Sequence, residues 1–181
     1  PYYFRHYQVE DGLSNNTVGC LLQDHKGFLW FGTKDGLNRF DGYTFKVFQN
    51  AGDSLHDIGS NFIISLHEDR KQQFWVGTDR GLYRYNPERE DFEIESGVPL
   101  NEIRGILSDD NNRLWLVIRN RLGWLDLKTG RFMLFEKLKQ SGITSISAGS
   151  PGNIWAATSE GIIHRINTNT LGIHSYNVFN D

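Results

Sequence analysis

The chain has 181 residues, with 19 basic against 22 acidic side chains and a formal charge of −3. That length suits one domain or two small ones, and the mild acidity excludes a protein that grips nucleic-acid phosphates, so no nucleic acid is expected as a partner. A single cysteine, Cys20, excludes an intrachain disulfide and a cysteine-built zinc site, and no apolar run reaches the roughly 18 residues of a spanning helix.

The opening Pro1-Tyr2-Tyr3-Phe4-Arg5 lacks the basic start and unbroken apolar stretch of a signal peptide. Any targeting segment is therefore expected outside this chain. Aromatic residues make up 13% of the sequence and glycines number 19, a composition of many short strands and turns.

In chain order, residues 2–8 read as a strand, because Phe4-Arg5-His6-Tyr7-Gln8 alternates aromatic and polar side chains. Residues 17–49 then predict four strands, over 17–23, 28–33, 37–41 and 44–49. The turns between them are Asp24-His25-Lys26-Gly27, Lys34-Asp35-Gly36 and Asp41-Gly42, with Gly36 available for a positive φ. After a longer connector over residues 51–60, similar units follow at 62–95, 102–136 and 142–179. Their first turns are read as Asp69-Arg70-Lys71-Gln72, Asp109-Asp110-Asn111-Asn112 and Ser150-Pro151-Gly152-Asn153.

Four tryptophans set the register of these units. Trp30, Trp75, Trp115 and Trp155 lie 45, 40 and 40 residues apart. Phe31-Gly32-Thr33-Lys34-Asp35-Gly36-Leu37 aligns with Val76-Gly77-Thr78-Asp79-Arg80-Gly81-Leu82 and, more weakly, with Ala156-Ala157-Thr158-Ser159-Glu160-Gly161-Ile162. The third copy, Leu116-Val117-Ile118-Arg119-Asn120-Arg121-Leu122, keeps the hydrophobic positions and loses both glycines. Twelve residues before each tryptophan stands Val18, Ile63, Ile103 or Ile143, and ten before it a small residue, Cys20, Ser65, Gly105 or Ser145. Four-stranded antiparallel units of about 40 residues are the blades of a β-propeller, so the expected fold is all-β, with about four such blades forming part of a larger propeller.

The sequence resembles the two-component-regulator propeller repeats of periplasmic sensors in Bacteroides-type hybrid two-component systems. Three stretches carry the resemblance: Glu10-Asp11-Gly12-Leu13-Ser14-Asn15-Asn16, the Gly27-Phe28-Leu29-Trp30-Phe31-Gly32-Thr33 core, and Asp41-Gly42-Tyr43-Thr44-Phe45. The first two repeats match in identity, the later two in spacing. The resemblance implies a periplasmic signal-sensing role, commonly for oligosaccharides released from polysaccharide. It also implies an amino-terminal fragment whose membrane helix and histidine kinase lie elsewhere. Membership supplies no ligand residues.

Candidate contacts with a ligand or partner lie where the repeats differ. The turns between second and third strands emerge on one face and present Lys34 and Asp35, Asp79 and Arg80, Arg119, Asn120 and Arg121, and Ser159 and Glu160. The two arginines suit a carboxylate or sulfate on an acidic sugar, against the competing reading of a solvated basic turn. Trp124 falls outside the shared tryptophan column, at a position that is arginine in the other repeats (Arg39, Arg84, Arg165), and is a further contact candidate. Trp30, Trp75, Trp115 and Trp155, with Gly36, Gly81 and Gly161, are assigned structural roles. The six histidines are scattered, and no nucleophile elbow, P-loop or dinucleotide fingerprint occurs. No catalytic residue, metal or cofactor is therefore expected. A protein-interaction scaffold and a propeller enzyme like the streptogramin lyases are the competing functions.

Four blades consume sixteen strands and leave the strand at 2–8 over, as the outer strand of a blade this chain does not contain. An open arc follows, with two apolar end faces that invite further blades or self-association.

Overall fold

The structure, a computed structural model, describes residues 3–50, 52 and 57–179. Among these residues lie sixteen strands in four antiparallel sheets, each a meander of four consecutive strands. The first blade holds β1 Val18–Gln23, β2 Leu29–Thr33, β3 Gly36–Phe40 and β4 Phe45–Phe48. The second holds β5 Ile63–Glu68, β6 Phe74–Thr78, β7 Gly81–Asn86 and β8 Asp91–Ile94. The third comprises β9 Ile103–Ser108, β10 Arg113–Ile118, β11 Arg121–Asp126 and β12 Arg131–Leu134, and the fourth β13 Ile143–Ala148, β14 Asn153–Thr158, β15 Ile162–Asn167 and β16 Ile173–Asn177. The first strands β1, β5, β9 and β13 neighbour one another in succession, so each blade radiates outward from its first strand. This is the architecture of a β-propeller.

Residues 3–8 form no strand within this chain, and Tyr7 packs its ring on Phe40 and Phe45; the blade whose outer strand they are expected to supply is not among the described residues. Residue 2 lies outside the described residues, as do 51 and 53–56 of the connector. The first turn of the fourth blade closes over 150–153 as expected, the Asn153 amide donating to the Ser150 carbonyl at 2.9 Å. The Gly149 amide donates to the Asn153 carbonyl, as Asp24 does to Phe28, Asp69 to Gln73 and Asp109 to Arg113.

The core lies in three seams between blades. Each tryptophan faces the following blade: Trp30 packs with Phe74 and Tyr85, Trp75 with Leu114 and Leu125, Trp115 with Ile154 and Ile166. These three indoles are 1%, 3% and 0% exposed. In the opposite direction, the β-branched residue opening each first strand enters the preceding blade. Ile63 joins the Trp30 cluster, Ile103 the Trp75 cluster and Ile143 the Trp115 cluster, all at 1% exposure or less. An irregularity in the ladder beside each of these residues, at Val18/Cys20, Ile63/Ser65, Val117/Ile118 and Ile143/Ser145, turns the side chain towards its seam.

A cross-strand pair of small residues leaves room for that side chain. The partners are Cys20 and Gly32, Ser65 and Gly77, Gly105 and Val117, and Ser145 and Ala157. A Cβ on Gly32 would stand 2.7 Å from Ile63 Cγ2, and one on Gly77 2.9 Å from Ile103 Cβ. Both would also strike the partner's own side chain, Cys20 Sγ and Ser65 Oγ. In the third blade the assignment is exchanged: the glycine sits on the first strand, where an added Cβ would meet Val117 Cγ2 at 3.2 Å, and valine takes the second. The pair conserves volume rather than position, which accounts for the glycine that the third repeat lacks after its tryptophan.

Candidate functional site

By the strand order, every turn between second and third strands, and every connector between blades, emerges on the same face. In the first and second blades a threonine organises the turn. The Thr33 hydroxyl donates to the Gly36 carbonyl at 2.9 Å and accepts the Asp35 amide at 3.0 Å; Thr78 repeats this with Gly81 and Arg80 at 3.1 and 3.0 Å. Gly36 and Gly81 have φ of 120° and 137°, which side chains rarely adopt. In the fourth blade Thr158 accepts the amides of Glu160 and Ile162, and Gly161 has φ of 77°.

The third turn is built differently. Ile118 stands in place of the threonine and pairs with Arg121, and the two residues between, Arg119 and Asn120, both have positive φ, 46° and 61°. This is the primed hairpin turn that ordinarily selects glycine or asparagine. Arginine at its first position carries backbone strain. The Asn120 carbonyl accepts the Ile143 amide at 2.8 Å, so this turn is tied to the next blade.

Lys34, Arg80, Arg119 and Arg121 are exposed, and among the described residues their side chains make no hydrogen bond or ion pair. Asp35 is also exposed, whereas Asp79 accepts the Ser60 hydroxyl. The face thus carries four uncommitted cations, two of them on one hairpin. Trp124 does not join them. It lies mid-strand opposite Trp115, half-buried, with its ring 5.2 Å from Trp115 and 5.9 Å from Phe135. The ladder confirms Arg39, Arg84 and Arg165 as its counterparts, each opposite the tryptophan of its blade. Arg39 lies 4.8 Å over the Phe28 ring and 5.7 Å from Trp30. In the third blade the guanidinium comes instead from Arg113, 5.4 Å from Trp115 and 5.7 Å from Trp124.

The opposite face is committed to structure. Asp24, Asp69 and Asp109 each accept two turn amides with one carboxylate oxygen and the tryptophan indole N–H with the other, the indole contacts being 2.8, 3.2 and 2.8 Å. Sequence reasoning treated these aspartates only as turn formers. The signal was available, an aspartate six residues before three of four tryptophans, with Gly149 at that place in the fourth. Polar links also cross the seams: His25 to Glu68 at 2.6 Å, and His67 Nε2 accepting the Ser108 amide at 3.0 Å. A cavity beside His25, Phe28 and Arg39 in the first seam is about 60 Å³, room for a water or two and not for a sugar ring. Cys20 is packed against the first seam, and burial pushes its thiol up to about 11, the state of a small core residue rather than a nucleophile.

Comparison with known proteins places this geometry. The two component regulator propeller family matches residues 12–35 and 57–80, the first and second repeats. Histidine kinase P4 of Formosa agariphila is 51% identical over 47 residues, 26% of this chain and 3% of the kinase. Over 97% of the chain, the fold superposes with a TM-score of 0.82 and 27% identity on the extracellular domain of the hybrid two-component system BT3049 of B. thetaiotaomicron. The extracellular domain of BT4673 from the same organism follows at 0.78 and 23% identity, and a streptogramin B lyase at 0.70 and 18%, a likeness of fold alone. The family match thus covers two of the four repeats, and these two B. thetaiotaomicron neighbours are extracellular domains of signalling systems. The chain spans about a quarter of the length of those domains, 26% and 27%. No helix among the described residues is long and apolar enough to cross a membrane.

Proposed function

We propose that this chain is a non-catalytic segment of a periplasmic sensor propeller in a hybrid two-component histidine kinase, and that its variable face receives an oligosaccharide released from a glycan. The observation that carries this reading is a contrast between the two faces. On one, Asp24, Asp69 and Asp109 are bonded to the turn amides and the indole of their own blades; on the other, the side chains of Lys34, Arg80, Arg119 and Arg121 make no hydrogen bond or ion pair among the described residues. The third turn holds Arg119 at a φ of 46°, a strained conformation of the kind that gathers at functional positions. Two guanidinium groups on one hairpin favour an anionic ligand, a uronate or a sulfated sugar, over a neutral one.

The role of the face is binding rather than catalysis: its exposed turns carry cations, the carboxylates Asp35, Asp79 and Glu160, and the Asn120 amide, and the one hydroxyl bonded to these carboxylates among the described residues, that of Ser60 on Asp79, is buried. Likeness to streptogramin lyases extends to the fold and carries no active-site residue with it. Titration calorimetry of the chain against matched neutral, uronate-containing and sulfated oligosaccharides tests the proposal. Binding of an acidic member that is lost in the Arg119→Ala/Arg121→Ala double variant, at unchanged stability, is expected. Equal binding of neutral and acidic members, or unchanged binding by the double variant, would remove these arginines from the site.

A further inference from the structure

The connector between the first and second blades carries an aromatic side chain that packing does not account for. Phe62 stands directly before Ile63, which is sealed in the first seam, yet is itself 42% exposed. Its ring pairs with no other ring among the described residues. The repeat does not require an aromatic here, since the residues directly before Ile103 and Ile143 are Glu102 and Gly142. An exposed apolar side chain is ordinary on a protein surface; one held rigidly between paired charges is not.

The backbone that carries the ring is fixed on both sides. The Asn61 carbonyl accepts the Gly36 amide at 2.7 Å and the Phe62 carbonyl accepts the Asp79 amide at 3.3 Å, so Asn61-Phe62 bridges the second-to-third-strand turns of the two blades. The Phe62 amide donates to the Ser60 hydroxyl at 3.1 Å, and that hydroxyl donates to one oxygen of Asp79 and leaves the other. The Asn61 side chain accepts the Asn50 amide at 2.6 Å. One of the bridged turns presents Lys34 and Asp35, the other Asp79 and Arg80, all of them exposed. A cation and a carboxylate therefore stand on either side of Phe62, and their charges cancel. The third turn differs, because Arg119-Asn120-Arg121 holds two cations and no carboxylate.

We propose that Phe62 is the platform on which this face receives a neutral sugar ring. The C–H face of a pyranose covers the phenyl ring, and its hydroxyls bond to Lys34 and Asp35 on one side and to Asp79 and Arg80 on the other. A sugar hydroxyl both donates and accepts, so it is matched by carboxylates as well as cations, and hydrogen bonds to charged groups are the stronger kind. The aromatic ring supplies flat apolar area at little cost in conformational freedom, because its backbone is already tied to both turns. An anion gains no net attraction from this balanced pair of turns, and does gain it from the carboxylate-free third turn. The inference rests on the reading of this face as an oligosaccharide receptor and extends it: the ligand carries a neutral residue, held at Phe62, besides the acidic one held at Arg119 and Arg121.

Titration calorimetry of the chain against a neutral oligosaccharide and its uronate-containing counterpart tests the platform, with thermal melting followed by circular dichroism as the check on folding. Phe62→Ala is expected to weaken the binding of both members by about tenfold at an unchanged melting midpoint. Phe62→Tyr keeps the ring and is expected to bind as the unmodified chain does, whereas Phe62→Leu, apolar without a flat face, is expected to bind as weakly as Phe62→Ala. The Arg119→Ala/Arg121→Ala variant separates this inference from the reading beneath it: it is expected to lose the advantage of the acidic member and to keep the binding of the neutral one. Unchanged binding in Phe62→Ala, or weakening in Phe62→Tyr equal to that in Phe62→Ala, would overturn the platform and leave the receptor reading standing on its arginines. Weakening in Phe62→Ala with no effect of the arginine pair would keep the platform and remove the arginines. A chain that binds neither member would overturn both.

Discussion

Trp115 and Trp155 fill the same column of the repeat and differ in almost everything the column is supposed to determine. Trp115 is enclosed by Ile154 and Ile166 of the next blade, and its indole N–H is bonded to Asp109. Trp155 is half-buried, its ring pairs only with Tyr176 of its own blade, and Gly149 stands where the aspartate would be. At the other end Val18 is exposed where Ile103 is sealed. Burial here belongs to the pair of neighbouring blades rather than to the blade, so stability is distributed along the arc as interface terms.

Parallel substitutions in the two regions sharpen that contrast. By urea denaturation, Trp115→Ala is expected to cost about 3–5 kcal/mol, since it empties a sealed seam. Trp155→Ala should cost about 1–2 kcal/mol, because solvent already reaches part of the site. Equal losses would mean that the fourth blade is covered in solution. For the β-branched residues, measured on dilute protein, Ile103→Ala is expected to cost about 2–4 kcal/mol and Val18→Ala less than about 0.5 kcal/mol.

The exchange of volume between strands can be tested within one seam. Gly77→Val should destabilise by about 1–3 kcal/mol, because its side chain meets Ser65 and Ile103. Adding Ser65→Gly reproduces the third-blade arrangement and is expected to recover most of that loss in a double-mutant cycle. Simple additivity of the two changes would show that the pair does not share a volume.

A pH effect is expected at the second seam. His67 is held below the ordinary histidine value chiefly by burial, against the opposing charges of Asp69 and Glu68, and its Nε2 accepts the Ser108 amide only when unprotonated. Above the ordinary histidine pKa the ring is neutral in folded and unfolded chains, and its contribution is fully present. As pH falls below that value, the unfolded chain takes up the proton first, and stability declines until the depressed folded pKa is passed. Denaturation curves from neutral to mildly acidic pH should show this decline, and a His67→Gln variant should flatten it. A stabilising effect is expected at the third turn: Arg119→Gly relieves the positive φ and should stabilise by about 0.5–1 kcal/mol. A gain in stability accompanied by loss of acidic-oligosaccharide binding would separate the two roles of that position.

Much of this contrast was legible in the sequence, and the rest was not for identifiable reasons. Tryptophan spacing and turn chemistry placed the blades: strands expected over 17–23 and 28–33 form as Val18–Gln23 and Leu29–Thr33. The small-residue column was visible, but not that it forms a hollow for the next blade's isoleucine, because that contact joins residues a whole repeat apart in the chain. Trp124 could be aligned with the arginine column, yet the guanidinium that replaces those arginines comes from Arg113, on a different strand. The strand expected at residues 2–8 needs a partner edge, and alternation alone does not supply one. The arginine pair stood out from its neighbours in sequence, while the strained turn that sets it apart from an ordinary basic loop is a backbone property.

Indole hydrogen exchange followed by NMR tests most directly the claim that the arc has three sealed seams and an open tail. The account predicts slow exchange for Trp30, Trp75 and Trp115, each buried and bonded to an aspartate, and much faster exchange for Trp155. Protection of Trp155 equal to that of Trp115 would contradict it, since the fourth blade would then have its neighbour already.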